Sequence, residues 1–303
     1  MLLRRVGSTI IAGQKTAAKM LGPRRDELGD EGSVDDDADA PESKLYPLLA
    51  AEQEKLLLFL NRLERAPDDP KYREVERILL QGVDRTGPWL ELGCIVFSQY
   101  FDSVDWLAAR LSARLPEEPV AVYAGSGRSC IYRAGAFTRV DREEIKRAVR
   151  AGEIRLVIGT DAASEGLNLQ RLGSLINLDL PWNPTRLEQR KGRIQRIGQA
   201  RSEVLIYNLR YRGSVEDRVH ELLSSRLAAI RDLFGQLPDT LEDVWVAVAE
   251  QDEEKARQVI DAVPETHPFE LRYDRIEPVD WETCSRVLDA QTQLDALMKP
   301  WSR

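Results

Sequence analysis

The sequence predicts an α/β fold: a parallel sheet with helices on both faces, with helical extensions at the N- and C-terminal ends. Three observations carry this. Across residues 93–209, short apolar runs of strand length alternate with amphipathic stretches of helical length, the pattern of a sheet buried on both sides. Caps and stops punctuate the helical stretches, as where Asp141 precedes one and Gly152 follows it. The 303 residues are 43% hydrophobic and 31% charged, ordinary for a folded chain with one core and a smaller second unit.

Taken in order, residues 1–25 form an N-terminal helix, with Leu2, Val6, Ile10, Ala17, Met20 and Leu21 at roughly helical spacing until Gly22-Pro23 stops it. Arg4, Arg5, Lys15, Lys19, Arg24 and Arg25 face no acid there, a composition that transit peptides share, but the segment is read as a plain amphipathic helix. Residues 26–42 are an acidic, flexible linker, whose Asp35-Asp36-Asp37 run reads as a solvated spacer. Residues 43–92 are a helical segment, with helices predicted over 44–65 and 70–81, the second capped by Asp69 and opened by Pro70.

The main unit spans residues 93–235. Strands are predicted over 94–97, 120–123, 154–159, 175–178 and 204–209, with helices over 102–115, after Asp141, and from Ser214 to about residue 234. Right-handed crossovers then collect the functional loops beyond the carboxyl ends of the strands. Residues 236–303 read as a mostly helical extension with an extended His267-Pro268-Phe269 piece, in which Trp245, Trp281 and Trp301 serve as core or docking residues.

Several function classes are disfavoured. Cys94, Cys130 and Cys284 lie far apart and only His220 and His267 could add imidazole, so neither a metal site nor a disulfide framework is expected. The longest apolar run, near 56–60, is far short of the ~18 residues of a membrane span, so the protein is expected to be soluble and cytoplasmic. Net charge is −8, which leaves nucleic-acid binding to local patches.

Two stretches carry chemistry. Residues 159–170, Gly-Thr-Asp-Ala-Ala-Ser-Glu-Gly-Leu-Asn-Leu-Gln, run from a strand end into small and polar residues that could grip phosphate, although any polar αβ turn could read the same. Residues 189–199, Gln-Arg-Lys-Gly-Arg-Ile-Gln-Arg-Ile-Gly-Gln, set Gln189, Arg193 and Arg196 on one helix face, with Gly192 leaving room for close approach. Between 186 and 201, Arg186, Arg190, Lys191, Arg193, Arg196 and Arg201 oppose Glu188 alone, a local field in an acidic chain that a solvated basic helix would also produce. Arg190 stands on another face, and its replacement is expected to lower catalysis much less than that of Arg196.

These stretches resemble motifs V and VI of superfamily 2 helicases, and with Trp182-Asn183-Pro184 just before the second, the SNF2 branch. Ile95-Val96-Phe97-Ser98-Gln99 resembles motif IV, and Tyr123-Ala124-Gly125 the phosphate-contacting strand end that follows it. The resemblance, over roughly residues 93–230, implies a RecA-like C-terminal lobe; a narrower one is to bacterial proteins of the RNA-polymerase-recycling type and the helicase of the DISARM anti-phage system. It implies that Arg193 and Arg196 act as arginine fingers on ATP and that Gly166, Asn168 and Gln189 line the nucleotide cleft. Ser98, Gln99, Gly125, Thr160 and Trp182 would face a DNA backbone. ATP with Mg2+ would be held mainly by a first lobe carrying GxxxxGK[ST] and DExH motifs, which do not occur in these 303 residues. Gly13-Gln14-Lys15-Thr16 follows no strand and is read as a decoy. The implied partners are DNA and a first-lobe polypeptide or domain, with no hydrolysis by this chain alone; the competing reading is a non-enzymatic DNA-binding or adaptor module that keeps the lobe as a scaffold.

Overall fold

Alternating burial along the strands builds two apolar layers, one on each side of a seven-stranded sheet. The structure is a computed structural model that describes residues 2–22, 48–66, 68–125, 127–164, 170–181, 184–194, 201, 203–215, 217–218, 240–250 and 252–261. The 26–42 linker, the His267-Pro268-Phe269 piece and most of the helix expected after Ser214 lie outside the described residues.

The strands are β1 (Cys94–Phe97), β2 (Val120–Tyr123), β3 (Cys130–Arg133), β4 (Ala136–Arg139), β5 (Leu156–Gly159), β6 (Ser174–Asn177) and β7 (Leu205–Asn208). Their order is β4-β3-β2-β5-β1-β6-β7. From β2 to β7 every pairing is parallel, with Phe97 level with Gly159 and Asn177, so the carboxyl ends of these strands share one edge. Each of the central strands β1, β2, β5 and β6 is buried along its whole length, as a sheet covered on both faces requires.

The helices are α1 (Leu2–Ser8), α2 (Ile10–Leu21), α3 (Ala50–Glu64), α4 (Pro70–Gln81), α5 (Trp89–Leu92), α6 (Phe101–Arg114), α7 (Arg142–Ala151) and α8 (Pro184–Ile194). Cys94 and Val96 point to a layer with Val75 and Ile78 of α4 and Val104, Leu107 and Leu111 of α6. Ile95 and Phe97 point to the opposite layer, with Ile145 and Val149 of α7 and Ile194 of α8. Two further helices, Thr240–Ala249 and Glu253–Asp261, pack on each other through Val244, Ala247, Val248 and Ala256.

Two local features differ from the sequence expectation. The single N-terminal helix is broken at Thr9, whose extended backbone (φ −147°) and hydroxyl, accepting from the Ala12 amide at 3.2 Å, cap α2 instead. Gly13 belongs to helix packing, since a Cβ there would lie 2.5 Å from Val6 Cγ2. Its neighbour Lys15 pairs with Asp102 of α6 at 2.8 Å, which gives the Gly-Gln-Lys-Thr stretch a packing role.

The second is an antiparallel hairpin, β3–β4, that extends the parallel sheet at the β2 edge. Ala134 (φ 48°) and Gly135 (φ 82°) form its two-residue turn, the double positive-φ geometry that suits the twist of a hairpin. Asn-Gly would have announced such a turn; Ala-Gly did not.

Candidate functional site

The carboxyl edge of the sheet gathers the ends of β1, β2, β5 and β6, and with them most of the described residues that the sequence singles out. After β1, Ser98 is fully buried, and its hydroxyl donates to Asp179 at 2.5 Å. The Gln99 amide donates to Asp179 at 2.9 Å, and its side chain to the Leu180 carbonyl at 2.9 Å. The Ser98 side chain therefore has no surface from which to meet an external phosphate. Its bonds organise the strand end instead.

After β2, Gly125 is buried, and its carbonyl accepts the Arg128 amide at 3.0 Å in a turn. After β5, Gly159 sits so close to its neighbours that a Cβ would lie 2.8 Å from Ala163 Cβ and 3.2 Å from the Tyr123 carbonyl oxygen. Thr160 is 1% exposed; its amide donates to the Tyr123 carbonyl at 3.2 Å, while its buried hydroxyl has no hydrogen-bond partner among the described residues. A buried hydroxyl without a partner is uncommon enough to count as a feature of the site.

Beyond β6, α8 crosses back over this edge. Gln189 is exposed and Arg193 is partly exposed one helical turn later, consistent with a shared outward arc. A Cβ on Gly192 would meet nothing within 4 Å, so the helix surface is open there. Arg196, Gly166, Asn168 and Trp182 lie outside the described residues.

The sequence reading missed the residue that holds this helix in place. Arg190 is fully buried, with Nε donating to Asp161 at 2.6 Å and Nη1 donating to the Asn177 side chain at 2.9 Å and to the Asp179 carbonyl at 3.0 Å. Its guanidinium also stands over the Phe97 ring, 5.2 Å from the centroid. One side chain thus ties α8 to the ends of β1, β5 and β6. Arg186, in the first turn of α8, reaches the other Asp161 oxygen at 3.5 Å.

Arg190 thus lies on a different face from Gln189 and Arg193, as expected, and it pins the site from there. The basic field around α8 is also weaker than the residue count implied, because Asp161 and Asp179 take up part of it. A signal was present in the sequence: Leu187, Arg190 and Ile194 recur at helical spacing on the inward stripe, and Ile194 is fully buried.

Asp179 is also the meeting point for the N-terminal helices. Ser8, at the end of α1, donates to its carboxylate at 2.5 Å and contacts Ser98 at 3.1 Å and Ser103 at 2.8 Å. Lys71 of α4 donates to the Gly7 carbonyl at 2.6 Å and to the Leu178 carbonyl at 2.5 Å. A buried polar path therefore runs from α1 through Asp179 to Arg190 and Asp161, in which Arg190 Nη2 makes no hydrogen bond and meets Asp179 only as an ion pair at 3.8 Å.

Residues 91–198 match the helicase conserved C-terminal domain. Among similar proteins, the uncharacterized ATP-dependent helicase YqhH of Bacillus subtilis is 41% identical over 121 residues, covering 40% of this chain and 21% of that protein. The RNA polymerase-associated protein RapA of Vibrio campbellii is 35% identical over 101 residues, covering 33% of this chain and 10% of that protein. This chain therefore spans only a small part of the length of the relatives it matches. Among solved structures, the C-terminal part of the Fun30 ATPase domain aligns with 84% of this chain and 76% of its own, at 18% identity and a TM-score of 0.39. The Pyrococcus furiosus Hef helicase domain aligns with 58% of this chain and 32% of its own, at 18% identity and a TM-score of 0.39.

Proposed function

We propose that the chain, whose residues 91–198 match the helicase conserved C-terminal domain, works as the C-terminal RecA-like lobe of an ATP-dependent, SNF2-like DNA helicase or translocase. In this reading Arg193 and Arg196 are the arginine fingers, and Gly166, Asn168 and Gln189 line the cleft that faces the nucleotide. The observation that carries it is the anchoring of α8. A finger must be held still to act in the transition state, and Arg190 locks the inward side of the helix through Asp161, Asn177 and Asp179.

The family implies ATP with Mg2+. The described residues suit the anionic end of that group and not its cation: α8 carries Arg193 and Lys191 on partly exposed positions, whereas no group of three or more His, Cys, Asp or Glu that could hold a metal ion occurs among them. Bound ATP would supply the phosphoryl group to be cleaved. The part played by this chain is to place planar guanidinium donors, which remain charged at all working pH values, where phosphate charge develops. Holding the cation and the inner phosphates falls to a first lobe, on the same polypeptide or another.

On the DNA side, Gln99, Gly125, Thr160 and Trp182 form the backbone-facing set; Thr160, like Ser98, is buried within the lobe, and its hydroxyl has no hydrogen-bond partner among the described residues. Ser98 acts behind them by holding Asp179. Contacts to phosphate would leave the motor indifferent to sequence.

The test is reconstitution. The 303-residue chain alone should give no DNA-stimulated ATP hydrolysis, and adding a matching first lobe, fused or separate, should produce it. Hydrolysis by the chain alone, or none in any combination, would sink the proposal.

A further inference from the structure

The ion pair between Arg190 and Asp179 is not closed. Arg190 Nη2 is buried and has no hydrogen-bond partner among the described residues, yet Asp179 Oδ1 stands only 3.8 Å away. The two side chains are 0% and 4% exposed, so water does not screen them. A buried guanidinium nitrogen left unsatisfied beside a carboxylate is costly, and turning that carboxylate toward Arg190 would close the pair. Other donors must therefore hold the carboxylate where it is.

Three of them do. The Gln99 amide donates to Oδ1 at 2.9 Å, and the Ser98 and Ser8 hydroxyls both donate to Oδ2 at 2.5 Å. Ser98 and Gln99 directly follow β1 and belong to the strand end itself. Ser8 comes from α1, 171 residues away in sequence. Its approach is fixed from behind: Lys71 Nζ donates to the Gly7 carbonyl at 2.6 Å and to the Leu178 carbonyl at 2.5 Å, so residues 7–8 and 178–179 are joined twice.

Ser8 has a plain structural contact as well, with the Ser103 hydroxyl at 2.8 Å, near the break between α1 and α2. Thr9 makes its own contact with Ser103 at 2.8 Å and caps α2 through the Ala12 amide at 3.2 Å, so that break is secured without Ser8. We infer that Ser8 is a positioning residue for α8: its hydroxyl holds the Asp179 carboxylate off Arg190 and so sets the depth at which the helix rests. Without that hydroxyl the carboxylate turns toward Arg190 Nη2, and the closer pair draws α8 and its outward Arg193 out of place. The inference rests on the reading of α8 as the finger helix. It adds a residue of α1, which lies outside the matched residues 91–198.

The test uses the reconstituted two-lobe enzyme. Ser8→Ala should lower kcat by about tenfold and change the KM for ATP by less than about twofold, since a displaced finger is felt chiefly in the transition state. Ser112→Ala controls for lost stability: Ser112 is fully buried on α6 and accepts the Gly135 amide at 2.9 Å, outside this path, and this variant should keep the kcat of the unaltered enzyme. Asp179→Asn removes the charge that draws on Arg190, so adding Ser8→Ala to it should bring no further loss of kcat. In the chain alone, hydrogen exchange of the α8 amides should change in Ser8→Ala and not in Ser112→Ala.

Equal kcat losses in Ser8→Ala and Ser112→Ala would reduce the effect to stability and overturn the inference. An unchanged kcat in Ser8→Ala, additive losses in the double variant, or α8 exchange that Ser8→Ala leaves unaltered would overturn it too. Each of these results leaves the finger reading standing, provided the unaltered enzyme hydrolyses ATP. If the unaltered enzyme does not, that reading falls and this one with it.

Discussion

Arg190 and Arg193 are three residues apart on one helix and do different work. Arg190 has no exposed surface, and its removal would take the guanidinium from the buried Asp179 carboxylate and leave Asp161 to its contact with Arg186 at 3.5 Å. Breaking such a pair from one side costs about 3–5 kcal/mol, so Arg190→Ala should lower the urea midpoint of the chain sharply. Arg193→Ala, at a partly exposed position, should leave that midpoint almost unchanged. Ser8→Ala removes one donor from the Asp179 carboxylate and should cost about 1–3 kcal/mol, read in the same unfolding experiment. Cys94 gives a pH signature: burial pushes its thiol from the ordinary 9.0 up to about 12. Well below pH 9 the thiol is neutral whether the chain is folded or not. As pH rises further, the unfolded chain ionises first and stability falls until the folded thiol titrates near 12. Cys94→Ala should flatten that alkaline loss in a melting series, and an unchanged slope would show that other groups cause it.

At the level of elements, the five parallel strands and the helices between them were readable because each obeys a local rule. β1, β2, β5 and β6 are continuous apolar runs, and α4 opens with Asp69 capping Lys71 at 2.9 Å and Pro70 in its first turn, as predicted. Elements governed by distant contacts were not readable. Thr9 breaks the N-terminal helix so that Ser8 and Thr9 can enter the polar cluster with Ser103, 94 and 95 residues away in sequence. The β3–β4 hairpin was hidden because Ala134 adopts a left-handed backbone that the sequence does not advertise. Holding alanine there costs about 1–2 kcal/mol, so Ala134→Asn should raise stability by about 0.5–1 kcal/mol in thermal unfolding, with the hairpin register retained. A loss of stability would mean that the turn is not of the assigned type.

Across the whole molecule, the two layers around the sheet and the polar path from α1 to α8 make one unit of the N-terminal helices and the lobe. The motif residues were legible because small, polar and basic side chains interrupt apolar runs at strand ends. Which arginine pins and which reaches outward depended on helix phase relative to two buried aspartates, and that is tertiary information. The central claim is this division of labour, and it is tested in the reconstituted two-lobe enzyme by measuring DNA-stimulated kcat and thermal midpoint together for Arg190→Ala, Arg193→Ala and Arg196→Ala. Arg196→Ala should lower kcat on the order of 10³-fold with little change in nucleotide affinity or midpoint, because a finger acts mainly in the transition state. Arg193→Ala should follow the same pattern, and Arg190→Ala should instead lower the midpoint. Equal kcat losses for all three with no change in midpoint would show that only the charge of the helix matters, and would contradict the account.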